Sequence, residues 1–525
     1  MAGCSAPPVK TRAITVNISA DGQTRSIQLD AGSTAQEAFA SAGILVNSLD
    51  RSEPPLFTVL TDGAKVRLTR VTEEFSQPVE EVIPFEHQEV RSESLTNGQK
   101  LLSQKGINGL RQITFRRVYE EGVKVSEEQW EVIVIKEPVP EIMVVGVGQS
   151  FEPTTIPGRI AYLLGGNAWI MEGSTGVRRP VVKSGDLDGR IFSLSPDGHW
   201  LLFTRRSEKA GTINTLWMAR MDENSPAEEA TENEVDLQTA NVIHFADWMP
   251  QVAEDTLLTY YTVAYSTVEP RPTAPGWQAN NDLAVIGINP LTGYVSPPKV
   301  ILESNSGGAY GWWGATFAWS PNGKRIAYAN PDTVGLIELE KGTLTPYLEI
   351  VPLQTGSDWA WAPGIAWGPD NALLYTVDHI VEKGIELPDT SPQFELAVIP
   401  LSGGLPLRFG VQTGMFAYPV PSPLQSEHEY QVAYLQAIAP RESDSSLYRL
   451  VVMDRDGSNR RVLFPTAEER GLEPQRPIWS PQPVNEQGNY AILVIRQGNL
   501  WLVNPTTGEI SPITGDGLTS RVDWK

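Results

Sequence analysis

The sequence predicts a mainly β chain whose last two thirds close into a β-propeller of seven blades, within a range of six to eight. Three observations carry this. Beyond Pro157 one pattern, an apolar strand running into a proline turn and then two further apolar strands, recurs at intervals of roughly 40 to 75 residues, the mark of a repeat architecture. Incomplete units at the two ends of that stretch complement one another. Composition agrees, since 41% hydrophobic and 20% charged residues with 45 glycines and 41 prolines suit a turn-rich β fold better than disorder.

At 525 residues the chain exceeds one ordinary core, so several domains are expected. Residues 1–11 read as a tail. It holds the sole cysteine, Cys4, which rules out an intrachain disulfide. Met1-Ala2-Gly3-Cys4 resembles the end of a bacterial lipoprotein signal, without its charged and apolar parts, and the resemblance implies lipidation at Cys4. No apolar run approaches the roughly 20 residues of a spanning helix, so membrane attachment is expected only through that anchor.

Residues 12–72 read as a β-grasp unit. Ile14, Val16 and Ile18 alternate as a strand, Asp21-Gly22 turns a hairpin, and Ser26 to Leu29 returns. Thr34 and Glu37 have capping-box spacing, Gly43 can end the helix, and Val66 to Thr69 supplies another strand. With Asp50 and Leu60-Thr61-Asp62-Gly63, the segment resembles the ubiquitin-like domain of resuscitation-promoting-factor-type wall proteins.

Residues 78–150 are extended and glycine-punctuated, with Pro84-Phe85, Gly98, Gly106 and Gly109, strands at Thr114 to Tyr119 and Trp130 to Ile135, and then Lys136, Pro138, Ile142 and Gly146. This set resembles a G-five domain. The resemblance implies association with adhesion and with wall glycans containing N-acetylglucosamine. Taken singly, the glycines read as backbone devices.

Residues 158–525 hold the repeats. Clear copies start at Ile191 (F-S-L-S-P-D-G), Phe317 (A-W-S-P-N-G), Ile365 (A-W-G-P-D-N) and Ile478 (W-S-P), with weaker ones at His244 and Phe416. Ser520 to Lys525 is a first strand with nothing after it, and Arg159 to Leu163 with Asn167 to Met171 are later strands with nothing before them. Joined, they make a seventh blade and remove the exposed sheet edges. The repeat resembles the TolB-type, or WD40-like, propeller unit, although TolB's own propeller has six blades. The resemblance implies that inner strands include Ser193, Ala318, Ala366 and Trp479.

A formal net charge of −22 makes nucleic acid an unexpected partner. There is no G-x-S-x-G elbow, and His87, His199, His244, His379 and His428 lack metal-ligand spacing, so neither catalysis, a metal nor a cofactor is expected. Asp186-Leu187-Asp188-Gly189 and Asp454-Arg455-Asp456-Gly457 read as turns, and the acidic run from Asp222 to Asp236 as a solvated loop. Of 15 tryptophans, Trp319 and Trp367 fall within inner strands and read as core. Tyr310, Trp312, Trp313, Trp359 and Trp361 lie in connections leading to those strands and are the candidate ligand-binding residues, beside a proline-rich insertion from Thr267 to Asn281 expected to form a mobile flap. The expected function is that of an exported, lipid-anchored protein of the bacterial surface or wall, binding a protein or a glycan such as peptidoglycan. A lactonase-like metal enzyme and a structural spacer are the rival readings.

Overall fold

The computed structural model describes residues 12–85, 87–92, 98–136, 138–146, 151–222, 233–250, 260–290, 292–304, 308–382, 384, 387–467 and 469–525. Cys4 lies outside them, as do residues 223–232 of the acidic run. The chain forms two compact units, one within residues 1–89 and 102–143, the other within 90–101 and 144–525.

In the first unit β1 (Ala13–Ala20) and β2 (Gln23–Asp30) form the hairpin, α1 (Ala35–Ser41) follows, and β3 (Arg51–Glu53) precedes β4 (Lys65–Thr69), which runs parallel to β1. The sheet order is β2–β1–β4–β3, a β-grasp arrangement. Strand alternation puts Ile14, Val16 and Ile18 on one face, where they bury Ala38 and Phe39 of α1. The helix starts where the sequence places it. Thr34 Oγ1 accepts the Glu37 N–H at 3.3 Å, and the Glu37 carboxylate accepts the Thr34 N–H at 2.8 Å. It ends at Gly43, whose positive φ lets Ile44 N–H reach back to Phe39 O at 2.9 Å.

Next come β5 (Val71–Phe75), β6 (Val79–Ile83), β7 (His87–Ser92), β8 (Lys100–Gln104), β9 (Gly109–Glu120), β10 (Val123–Lys136) and β11 (Glu141–Gly146). One sheet runs β10–β9–β5 with β6 also on β9, and another runs β7–β11–β8. Because β5 belongs to this sheet, the sheet begins ahead of residue 78. Few side chains here are buried, and β10 is exposed along its whole length. Cross-strand pairs line β9 instead, among them Arg116–Glu73 at 2.7 Å and Arg117–Glu127 at 2.7 Å. Gly106 allows the Phe85 ring to lie on the backbone, since a Cβ there would sit 2.3 Å from that ring.

Arg70 joins β4 to β5 without a linker. Its guanidinium bonds both carboxylate oxygens of Asp21 at 2.7 and 3.0 Å, Asp50 Oδ2 at 2.7 Å and Leu45 O at 2.7 Å. Asp50, whose side chain is 1% exposed, also accepts the Val71 N–H at 3.1 Å. Arg70 holds the Asp21 carboxyl below its ordinary value. Burial pushes Asp50 up, but the N–H groups of Asn47 and Val71 together with Arg70 outweigh it and the net shift is downward.

In the second unit seven antiparallel sheets are counted among the described residues, beside one small hairpin. Six begin with an inner strand, at Leu187–Leu194, Ala246–Trp248, Thr316–Trp319, Ile365–Trp367, Val420–Pro421 and Ile478–Trp479, and build outward in chain order. The seventh joins the two ends of the repeat region. Thr519–Trp524 pairs antiparallel with Thr155–Leu164, setting Ile160 opposite Trp524 and Tyr162 opposite Val522, and Asn167–Val182 lies outside them. Residues of all seven innermost strands line one central channel of about 1150 Å³, so the second unit is a closed β-propeller.

The repeated motif works through two hydrogen-bond patterns. In the turn, the buried hydroxyl of Ser195 accepts the Trp200 N–H at 3.0 Å, Ser320 accepts Arg325 N–H at 2.9 Å, and Ser480 accepts Ala491 N–H at 3.0 Å. Between blades, the motif tryptophan donates its indole N–H to a carbonyl of the preceding inner strand: Trp248 to Ser193, Trp367 to Ala318 and Trp479 to Val420, all at 2.9 to 3.0 Å. Trp319 has no such partner, and Pro421 stands where another tryptophan would be. Trp524 donates to Pro157 O at 2.7 Å.

Deleting residues 520–525 should expose the edge of Thr155–Leu164 and lower the propeller melting temperature by many degrees in calorimetry. An unchanged transition would reject closure as a source of stability. Arg70→Ala should cost the first unit on the order of 3 kcal/mol, because it leaves buried Asp50 without its cation. Hydrogen exchange across residues 13–75 measures this. The carboxyls of Asp21 and Asp50 are depressed by folding, so their stabilisation is complete above the ordinary value of 3.8 and is lost as pH falls through the lower folded values. Arg70→Ala should therefore flatten the acid limb of the stability profile, and an unchanged limb would reject the assignment.

Candidate binding site

Because each blade builds outward from a first strand, the connections leading into the inner strands gather at one mouth of the channel. Arg190, His244, Trp313, Trp359, Arg476 and Arg521 line the channel at or near the starts of these strands. Pro321, Pro369, Pro423, Pro481 and Lys525 line it at their far ends.

Among the sequence-predicted aromatic residues, Trp312 and Trp313 are in ring contact and are joined by Trp277 and His244, while Trp359 lines the channel apart from them. Trp313 lies 5.0 Å from Trp277 and 5.8 Å from Trp312, centre to centre, and His244 sits 4.6 Å from Trp277. Tyr310, Trp312, Trp313 and Trp359 are half-buried, which leaves part of each side chain accessible. The backbone between them is held by Asn281, whose side chain donates to Gly311 O at 2.6 Å and accepts Ala315 N–H at 2.8 Å. Gly314 belongs to the same device, since a Cβ at its φ of +124° would meet the His244 ring at 2.6 Å. Burial and nearby Arg190 push His244 down to about 4, so it serves as a neutral ring.

Two expectations are corrected. Trp361 offers no face to a ligand: it is 2% exposed, donates to Met415 O at 3.0 Å and packs edge-on to Phe394 at 5.0 Å. The insertion from Thr267 to Asn281 does adjoin the candidate rings, with Ala279 N–H bonded to Trp312 O at 2.9 Å. It is a folded hairpin, Val268–Pro270 against Trp277–Ala279, rather than a loose flap, because Val268, Trp277 and Ala279 are buried beneath it. Elsewhere, Asp222 and Glu234 at the edges of the acidic run are paired, with Arg159 at 2.5 Å and Arg205 at 2.8 Å. Asp188 accepts the Arg190 N–H at 2.9 Å, and Asp456 accepts the Ser458 N–H at 2.9 Å, as turn residues do. Among the described residues no three His, Cys, Asp or Glu side chains are grouped to hold one metal ion.

Sequence reasoning missed the cations of the channel. Arg476 and Arg521 each stand three residues before a motif tryptophan, in R-P-I-W and R-V-D-W, and Arg190 stands four before Leu194, so a readable signal existed. Asp247 and Asp523 also face the channel, and both accept hydrogen bonds, Asp247 through Oδ1 alone and Asp523 through both oxygens. Asp247 accepts Ser193 Oγ at 3.1 Å and Trp248 N–H at 2.9 Å, while Asp523 accepts Leu194 N–H at 2.7 Å and Trp524 N–H at 2.9 Å.

Residues 59–147 match the family model of the G5 domain. This segment is a G5 domain. The crystal structure of HP0197-G5 is 25% identical, with 15% of this chain and 99% of that chain covered and a TM-score of 0.14. One solved prolyl endopeptidase is 12% identical over 71% of this chain and half of its own, with a TM-score of 0.41. The β-propeller domain of the Trilobed protease from Pyrococcus furiosus is 11% identical over 69% of this chain and 94% of its own, with a TM-score of 0.38. No curated protein matches the chain. The propeller assignment rests on the sheets and channel described above.

Trp361→Ala should lower propeller stability by about 3 to 5 kcal/mol, the cost of emptying a packed indole site. Trp312→Ala should cost less than about 1 kcal/mol. Denaturant unfolding of the two full-length variants compares them, and equal losses would place Trp312 in the core as well.

Proposed function

We propose that this chain is a bacterial surface or wall-associated binding protein in which the aromatic mouth of the propeller channel takes a protein or glycan ligand. The observation that carries this reading is the half-buried rings of Trp313 and Trp359 on the wall of a channel of about 1150 Å³, with Trp312 packed against Trp313 and their backbone steadied by Asn281 and the folded hairpin. Part-exposed aromatic anchors on a fixed backbone bind with little loss of conformational freedom. The G5 domain supports a surface or adhesion role, and the wall-protein resemblance of residues 12–72 points the same way. No helix among the described residues is long and apolar enough to cross a membrane, and in this reading Cys4 carries the lipid that anchors the chain. The propeller is then the recognition platform and the G5 domain the wall-glycan or adhesion module.

Capture of ligand from purified wall glycan and from secreted protein tests the reading. The variant carrying Trp313→Ala and Trp359→Ala should lose affinity at least about tenfold while its melting transition stays in place. Undiminished capture by that variant would move the site off this mouth. In the native host, fractionation should recover the protein outside the cytoplasm and Cys4→Ser should release it from the membrane. Recovery from the cytosol would reject the surface role.

A further inference from the structure

We infer that the channel receives an acidic saccharide, its oxyanion held by Arg190 and Arg476, with Arg521 on the strand between theirs. This rests on the mouth being the binding face. The chain as a whole carries a formal charge of −22, yet the channel is lined by Arg190, Arg476, Arg521 and Lys525 against Asp247 and Asp523. The main-chain N–H groups that Asp247 and Asp523 accept do not cancel their charge, so the cations outnumber the acids four to two, and Arg521 is spent partly on Gly189 O at 2.7 Å and Ser520 O at 3.0 Å. Arg190 and Arg476 are exposed residues that line the channel, and among the described residues neither guanidinium makes a hydrogen bond or an ion pair within 4.0 Å, although Asp247 and Asp523 act on Arg476 through space. A guanidinium presents a planar fork of donors that fits a carboxylate or phosphate, and elsewhere on the same channel wall the rings of Trp313 and Trp359 can cover the apolar face of a sugar.

Size and charge narrow the ligand. The channel volume of about 1150 Å³ is on the scale of a small-molecule site. Charges screen one another beyond roughly 8 Å at physiological salt, so inside the channel the nearby arginines outweigh the acidic outer surface. A long polyanion would meet that outer surface along its length. A short sugar acid fits within the channel, where the cations outnumber Asp247 and Asp523.

The test uses the full-length protein and calorimetric titration with trigalacturonate, its neutral methyl ester, a phosphorylated trisaccharide and triglutamate. At least one of the two acidic sugars should bind tenfold or more tighter than the neutral ester, with an affinity that falls as salt rises. Arg190→Gln with Arg476→Gln should erase that preference without shifting the melting transition, and the acid whose binding it removes identifies carboxylate or phosphate as the source. Equal binding of acid and ester, or a preference that survives the double substitution, would overturn the inference. Equal or tighter binding of triglutamate would replace the saccharide by an acidic peptide. Failure of both acidic sugars to bind overturns the inference even where Trp313→Ala still reduces capture from wall glycan, so the two readings fail separately.

Discussion

The propeller depends on one pairing, that of Thr519–Trp524 with Thr155–Leu164. Every other blade is made from consecutive chain and could form its sheet locally, but the ring closes only because the last strand becomes the innermost strand of the first-formed sheet. Arg159 and Lys525 exchange backbone hydrogen bonds at the edge of this joint, at 2.5 and 3.0 Å. Without it two sheet edges would stand open, and the channel would lack the wall that carries Arg521 and Asp523.

Closure alone would leave seven sheets touching through side-chain packing, which fixes distance better than register. The motif tryptophans add direction, because each indole N–H reaches one carbonyl of one neighbouring strand. The buried motif serines do the same inside each blade by fixing the turn that leaves the inner strand. The proline at 421 and the unpartnered Trp319 show that the ring tolerates gaps in this scheme where hydrophobic contact between blades persists, as between Phe245 and Phe317 at 5.3 Å.

Local order and the closing strand were legible in the sequence for a physical reason: they depend on residues close together, or on a pattern that repeats. The capping box at Thr34 and the glycine after α1 follow from spacing, and the inner place of the strands holding Ser193 and Ala318 follows from the resemblance to the TolB-type repeat. Trp361 was misjudged because its place in the chain, just ahead of a strand, does not say which side of the connection turns inward; Phe394, a strand away, decides that. Arg70 was unreadable because its partners stand 49 and 20 residues away and meet only through the fold. The channel arginines lie between these cases. Their spacing from the motif is visible, but their convergence exists only once the strands stand in a ring.

The closing joint also sets a timetable. Trp524 and Pro157, which it brings within 2.7 Å, are separated by 367 residues. At synthesis rates of roughly 5 to 20 residues per second, the strand at Thr155 waits about 20 to 70 s for its partner, far longer than a hairpin takes to form. During that interval its edge has no inner strand to pair with, and Ile160 and Tyr162 lack Trp524 and the preceding blade's Leu493 and Leu500, against which they pack. The nascent chain therefore passes through a long open-ring stage in which that edge is the adhesive surface, and a holdase, or export of the still-unfolded chain, would have to protect it there.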